Sequence, residues 1–442
     1  MNSPVKCYSG SNESDLGIRN ARCLRMLWMN CSLLVALTLP IFVLSVSSAQ
    51  AAPVFTLQQV LDSAMQQNPA IAIIRAQEDA AQATVTTAKS FANPEIDAGM
   101  GPTRFRTTNQ SDSRNWGVGL SQPLEFSDVR SARREIAESN VKAVGFNSEL
   151  TRIELRSRVK SVFYEVLQRQ AVLKLVKDDR NSLTQIRERV KLRTDVGESP
   201  RYELIKADTE ALAAERDYQS AIVRVTEAKA YLRGLIGNSM PADYELAGEL
   251  PLVDTLPDLA TLRDKIDQSP LLQQIRAQKE TADAKLRLEE SLRNPGVTLK
   301  AGIEQDPDLT SLRFGLAIPL PLWNQRQGQI AEASANVVQA QAHVSDRELG
   351  LQRDIESSYQ RYLIAQGQVA AFENGLLSQA ESVLKVAESA YRFGERGILD
   401  YLDAQRTYRS VRKDYLAARY DYINAMLEIE RLLGTELLEV KS

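Results

Sequence analysis

Few side chains in this 442-residue sequence could do chemistry, and their types narrow what is open to it. A single histidine, His343, sits in a polar helical stretch, and the three cysteines, Cys7, Cys23 and Cys31, all precede residue 52. Beyond them the chain has no thiol, so the usual donors of a tight zinc or copper site are missing and no metal site is expected. Met65, Met100, Met240 and Met426 are scattered and read as packing residues rather than as a soft-metal relay. Gly99-Met100-Gly101 is too short for a phosphate loop and falls in a strand pattern. With no nucleophile–base set either, neither a catalytic residue nor a cofactor is expected. What remains is a pair of carboxylates, Asp400 and Asp403, at the start of a helical pattern. Taken alone they read as solvated acids in a first helical turn, where the helix dipole favours negative charge.

The rest of the composition speaks for long helices. Only 21 Gly, 16 Pro, 10 Phe and 3 Trp is lean for a compact enzyme, and Ala, Leu, Gln, Glu and Arg crowd the text. A formal charge of -3 gives no global attraction to nucleic acid, which is not expected as a partner. Arg19, Arg22 and Arg25 precede an apolar run from Leu33 to Val46, and Ala49-Gln50-Ala51 supplies a small-x-small cleavage pattern. Residues 1–51 are therefore expected to be a secretory signal, with Met26 as an alternative translation start because the stretch before Arg19 is long and polar for a signal. A retained anchor competes, but the run is broken by Pro40 and falls short of the roughly 20 apolar residues needed to span a bilayer. Without this segment all cysteines are gone and stability must come from packing.

The exported chain repeats itself. Leu235-Ile236-Gly237 recurs as Leu432-Leu433-Gly434, Gly197 as Gly394 and Tyr218 as Tyr415, each at an offset of 197. Asn93-Pro94 recurs as Asn294-Pro295, and Gly119-Leu120 as Gly315-Leu316. The repeats span about 55–237 and 256–434, joined by a Pro-bearing linker, 238–255, and followed by a tail, 435–442. Each reads as a helix, two short strands, a very long helix, a turn and another helix. In the last helix of the second repeat, Tyr401, Ala404, Tyr408, Val411, Tyr415, Ala418, Tyr422, Ala425, Ile429 and Leu432 alternate spacings of three and four. That is a coiled-coil seam, and the same positions 197 earlier form another, richer in alanine. The helices from near Ser127 to Asp195 and from near Gln327 to Phe393 contain no proline, so each is expected to run roughly 100 Å.

Four strands carry period-two patterns. Ile96, Ala98 and Met100 lie in the first, and Trp116, Val118 and Leu120 in the second. Val297, Leu299, Ala301 and Ile303 follow in the third, and Leu312, Phe314, Leu316 and Ile318 in the fourth. Their length approaches what a tilted strand needs to cross a bilayer, with polar loops at Thr103–Ser113 and Gln305–Ser311. An open sheet edge in lipid leaves backbone groups unpaired, so the chain should oligomerise to close a barrel. The competing readings are two hairpins capping a soluble bundle and a secreted coiled-coil scaffold without a pore.

At this point the sequence resembles the TolC-type outer-membrane efflux proteins over essentially the whole exported chain. Gly119-Leu120-Ser121-Gln122-Pro123-Leu124-Glu125-Phe126 and Pro319-Leu320-Pro321-Leu322-Trp323-Asn324 resemble the strand-to-helix junctions of the cobalt-zinc-cadmium resistance branch. The resemblance implies a mainly α fold with a small β part. Long coiled-coil helices form an α-barrel through the periplasm, and four transmembrane strands per chain make a twelve-stranded β-barrel in a homotrimer seated in outer-membrane lipid. It further implies a periplasmic membrane-fusion adaptor and an inner-membrane pump of the RND type as partners. The expected function is a passive exit duct for divalent heavy-metal cations, with drug efflux or type I secretion as alternatives.

The segment Tyr391 to Ala404 resembles the family's periplasmic tip. There the resemblance places Asp400 and Asp403 on the pore axis, six carboxylates in a trimer, as a filter that draws cations and repels anions. It also implies a latch, in which Tyr391 and Arg396 tie the inner hairpin to its neighbours beside the turn glycines Gly197 and Gly394. Counting from Gly197, the acidic partner falls on Glu203 and its neighbour on Tyr202, in place of the family's Asp and Thr. The longer Glu arm leaves the resting state of the latch open.

Overall fold

The computed structural model describes residues 53–103, 113–237, 240–251 and 256–437; the expected signal and the tip of the first hairpin loop lie outside them. The first repeat runs β1 (Val54–Phe55), α1 (Leu57–Gln67), α2 (Pro69–Lys89), β2 (Glu95–Thr103), β3 (Ser113–Leu124), α3 (Ser127–Asp195) and α4 (Arg201–Ile236). After β4 (Glu245–Leu246) the second runs α5 (Leu259–Asp264), α6 (Pro270–Ser291), β5 (Val297–Gln305), β6 (Thr310–Ala317), α7 (Gln327–Ala371), α8 (Leu377–Arg392) and α9 (Ile398–Leu433).

The opening helix of each repeat is split, which the sequence pattern did not announce. Pro69 and Pro270 each start a new helix at the one position where a missing N–H costs nothing. The residues before them fasten the break to the far end of the same repeat. Asn68 Nδ2 donates to the Leu235 carbonyl at 2.7 Å, and Ser269 Oγ donates to the Leu432 carbonyl at 2.9 Å.

α3 is the expected rod, 69 residues without interruption. Its counterpart is not. A π-type turn at Phe372–Leu376, with Gly375 outside helical dihedrals, divides Gln327–Arg392 into α7 and α8. A surplus residue is absorbed there. Tyr415 fixes the turn: its ring packs on Phe372 at 5.9 Å and its hydroxyl donates to Glu373 at 2.8 Å. Both seams hold, since no seam position of α4 or α9 is exposed.

Of the stretch expected as a linker, the described residues 240–251 are built into the main core. Met240, Tyr244, Leu246 and Leu250 are buried there with Leu232, Ile236, Leu262, Leu272, Ile355 and Ile423. β4 pairs parallel with β1, Val54 opposite Glu245. Lys160 of α3 and Glu430 of α9 form a buried ion pair across the repeats.

The four longer strands form one antiparallel sheet in the order β2-β3-β5-β6. Its register aligns the patterns into rows. Ile96, Leu120, Ala301 and Phe314 stand in one row and Ala98, Val118, Ile303 and Leu312 in the next, making one apolar face. The other face carries Asp97, Gly119, Gly302 and Arg313 in one row. Asp97 lies over Gly119, where a Cβ would meet its Oδ2 at 2.3 Å. The second hairpin is tighter than expected, with Asp306 N donating to the Leu309 carbonyl at 2.9 Å. Among the described residues, nothing pairs with the outer edges of β2 and β6.

Gly434 ends α9 at φ 72°, and a Cβ there would meet Pro270 Cδ at 2.7 Å. Gly434→Ala should therefore lose about 1–2 kcal/mol from the left-handed backbone alone, with the clash adding to it. Gly145→Ala, in the open on α3, should gain about 0.5–1 kcal/mol. Denaturant midpoints of the two variants in detergent should move in opposite directions.

Candidate pore constriction

Two turns bring the expected site residues to one end of the helices. In the first, Val196 N donates to Leu192 O, Gly197 N to Thr194 O, and Glu198 N and Ser199 N to Arg193 O. In the second, Phe393 N donates to Ser389 O, Gly394 N to Tyr391 O, and Glu395 N and Arg396 N to Ala390 O. The two sets match bond for bond at the repeat offset. Gly197 and Gly394 have φ of 82° and 74°, the left-handed conformation such a stop requires.

Behind the turns, Leu183, Ile186 and Val190 of α3, Ala207 and Ala214 of α4, and Ile398, Tyr401 and Leu402 of α9 form a second apolar cluster. Burial of Tyr401, Leu402 and Ala404 fixes the rotation of α9 and leaves Asp400 and Asp403 on its exposed side. Tyr391 stacks on Tyr401 with centroids 5.9 Å apart, and the Arg193 guanidinium lies 5.6 Å from the Tyr391 ring centre. The Tyr391 hydroxyl is buried and has no hydrogen-bond partner among the described residues.

Arg396 is the one expected latch residue with an ion pair, and its partner is Asp400. Nη1 lies 3.6 Å from Oδ2, with the two side chains 71% and 55% exposed. Glu203 instead brings its carboxylate beside Gly397, and Tyr202 is exposed. Within one chain, the structure joins Arg396 to Asp400 and Tyr391 to Tyr401, and leaves Glu203 and Tyr202 unjoined to them. An exposed pair of this kind contributes about 0–1 kcal/mol.

A stronger electrostatic site lies on the helices behind the tip and was missed from sequence. Glu210 of α4 is buried and paired with Arg406 and, at 3.3 Å, Arg409 of α9, with Lys206 at 3.7 Å. Burial alone would raise its carboxyl, but the guanidiniums of Arg406 and Arg409 outweigh it and hold the group below its usual range. Nearby Asp179 of α3 is buried and pushed up from 3.8 to about 6 by desolvation, with Arg409 and Arg412 opposing the shift and Asp178 adding to it. Both acids line an open cavity of about 660 Å³ between α3, α4 and α9. The available signal was an acid three positions after a seam alanine, Ala207, with arginines at the facing level of the other seam.

Paired rods ending in matched tip turns, carrying a sheet with one apolar face, define a stave of an outer-membrane channel. The chain belongs to the outer membrane efflux protein family, whose model matches residues 60–238 and 261–435. It is 25% identical to the cobalt-zinc-cadmium resistance protein CzcC of Cupriavidus metallidurans, covering 93% of this chain and 100% of that one. It is 24% identical to the outer membrane protein TolC of Vibrio cholerae, over 90% and 95% of the two chains. The crystal structure of the outer membrane protein VceC of Vibrio cholerae matches with a TM-score of 0.73 at 19% identity, over 86% of this chain and 97% of that one. The protein is thus an efflux component of the outer membrane, with its helical part a periplasmic tunnel and its strands part of a β-barrel. The scaffold and soluble-bundle readings fall.

Asp179 gives the tunnel wall a pH dependence. A carboxyl that holds its proton to about pH 6 when folded but only to about pH 4 when unfolded weakens the fold above pH 6. The penalty fades as pH falls from 6 to 4. Asp179→Asn should stabilise by about 1–3 kcal/mol at pH 8 and by nothing near pH 4. Denaturant titrations of the detergent-solubilised protein at several pH values would read the difference.

Proposed function

We propose that three copies of this chain close into a passive exit duct for divalent heavy-metal cations. The observation that carries the closure is a four-stranded sheet with an apolar face and two bare edges, β2 and β6. In lipid each bare edge would strand a row of N–H and C=O groups, so β6 of one copy must find β2 of the next. Three copies give twelve strands. The α3–α4 and α7–α9 pairs then stand side by side as staves of the tunnel, and the tip turns converge.

Asp400 and Asp403 supply the ring that selects by charge. They are exposed, one helical turn apart, and project from the side of α9 that its own chain does not cover. Arg396 beside Asp400 offsets part of the charge. The carboxylate of Glu203, beside Gly397 and without an ion pair among the described residues, suits a bond to a neighbouring copy. The likeness to a cobalt-zinc-cadmium resistance protein supports the cargo. Energy and cargo selection by coordination lie with the partners, an RND-type inner-membrane pump and a periplasmic adaptor.

Purified protein should conduct in planar bilayers as a trimer. Asp400→Asn with Asp403→Asn should lower the cation-to-anion permeability ratio several-fold, and Arg396→Ala should raise it. An unchanged ratio in both would remove these acids from the constriction. Cells lacking the gene should become sensitive to zinc, cobalt or cadmium; sensitivity confined to organic drugs would make the duct a drug exit.

A further inference from the structure

Glu210 does not use all the charge around it. The cavity that it shares with Asp179 lies between α3, α4 and α9, from roughly 15 to 35 Å along α4 at about 1.5 Å per residue. Five cationic side chains and three acids line it. Two of the acids are answered, Glu210 by Arg406 and Arg409, and Asp217 by Arg216 at 2.6 Å. The cations are not. Arg224 of α4 and Lys413 of α9 are exposed at the cavity, and neither has an acidic partner among the described residues. Arg409 directs a terminal nitrogen at Glu210, while its Nε is buried with no acceptor. A donor taken out of water and left unmatched is costly.

Asp179 is the acid left over. It is 7% exposed, on the α3 side of the cavity, and no hydrogen bond or ion pair meets its carboxyl among the described residues. Burial keeps its proton to about pH 6. While protonated, the carboxyl is one more donor in search of an acceptor. A guest that answers all four groups must carry negative charge on several oxygens, which guanidinium and ammonium groups hold through charge-assisted bonds. A cation fits badly, because it would meet the surplus of positive side chains and would have to draw Glu210 away from its arginines.

We propose that this cavity binds a small multivalent oxyanion of the phosphate or sulfate type, held by Arg224 and Lys413 at its exposed rim, by the buried Arg409 Nε, and by the Asp179 carboxyl as donor. The ion would bridge α4 and α9, a further tie between the repeats beside Glu210. The site is built within one chain, so it stands whatever cargo the duct carries.

Arg409 and Arg412 act on Asp179 from α9, and Asp178 from its own helix. Across the cavity stand Glu210, Arg216, Asp217 and Arg224 on α4, with Arg406 and Lys413 on α9. An ionised Asp179 would repel the guest, so binding takes up a proton and weakens as pH rises through about 6.

Radiolabelled sulfate, which keeps its charge between pH 5 and pH 8, tests this by equilibrium dialysis against the detergent-solubilised protein at fixed ionic strength. One saturable site per chain is expected, about fivefold tighter at pH 5 than at pH 8. Arg224→Gln and Lys413→Gln should each weaken it about fivefold. Asp179→Asn, neutral throughout, should bind at pH 8 as the parent does at pH 5. Lys285→Gln, which removes an exposed cation of α6, should change nothing. Absence of saturable binding at both pH values overturns the site, as does a loss with Lys285→Gln equal to that with Lys413→Gln. Binding indifferent to pH and to Asp179→Asn overturns the part given to Asp179.

Discussion

A strand in hydrocarbon must have both of its neighbours, because no water is there to satisfy a bare row of amides and carbonyls. Four strands cannot meet that condition in one chain unless they curl into a barrel far too narrow for a passage. This sheet stays open, with β2 and β6 at its edges. The requirement moves the completion of the fold from the chain to the assembly. Glycine rows on the polar face, Gly99 with Gly117 and Gly119 with Gly302, keep the inside of the curve free of bulk. What a single chain can do by itself is present an arc, and the helices below must accept the same arc.

The repeats are tied so that the arc keeps its angle. Each opening helix is broken at a proline and bonded, through Asn68 or Ser269, to the end of its own last helix. Between repeats, α9 is fastened to the first half by charge, at Glu430 with Lys160 and at Arg406 and Arg409 with Glu210. Both acids are buried. Removing Lys160 or Glu430 should cost about 3–5 kcal/mol, because the other charge is left buried without compensation. The waist and the wall are therefore stiff.

Much of this was legible in the sequence because it is periodic. Seam spacing fixed which faces of α4 and α9 are covered, and alternation fixed the two faces of the sheet before any register was known. The turn glycines were legible because a left-handed stop admits little else. The π-type turn at Phe372–Leu376 was not, since one surplus residue in a long seam leaves both flanking patterns intact. Nor was the Glu210 cluster: a charged side chain at a covered level looks, in one dimension, like any solvated residue. The pairing of Arg396 with Asp400 was hidden for another reason. It depends on Gly397 starting α9, which places the two residues one turn apart across the helix boundary.

These contrasts grade the ties along the second repeat. Along α9 the ties weaken from the core toward the tip, from the buried Lys160–Glu430 pair through Glu210 with its half-exposed partner Arg406 to the exposed Arg396–Asp400 contact. An exposed pair is worth about a kilocalorie at most, so a partner that touches the tip can exchange it without disturbing the wall. α8 fits that gradient. Among its residues only Ala380 is buried, it is separated from α7 by the turn at Gly375, and its far end bears Tyr391 with an unsatisfied hydroxyl. Within one chain α8 is therefore covered mainly where Leu384, Ala387 and Tyr391 meet the second cluster, and the rest of its surface is left for neighbouring copies, while α9 beside it is fixed by charge to the first repeat.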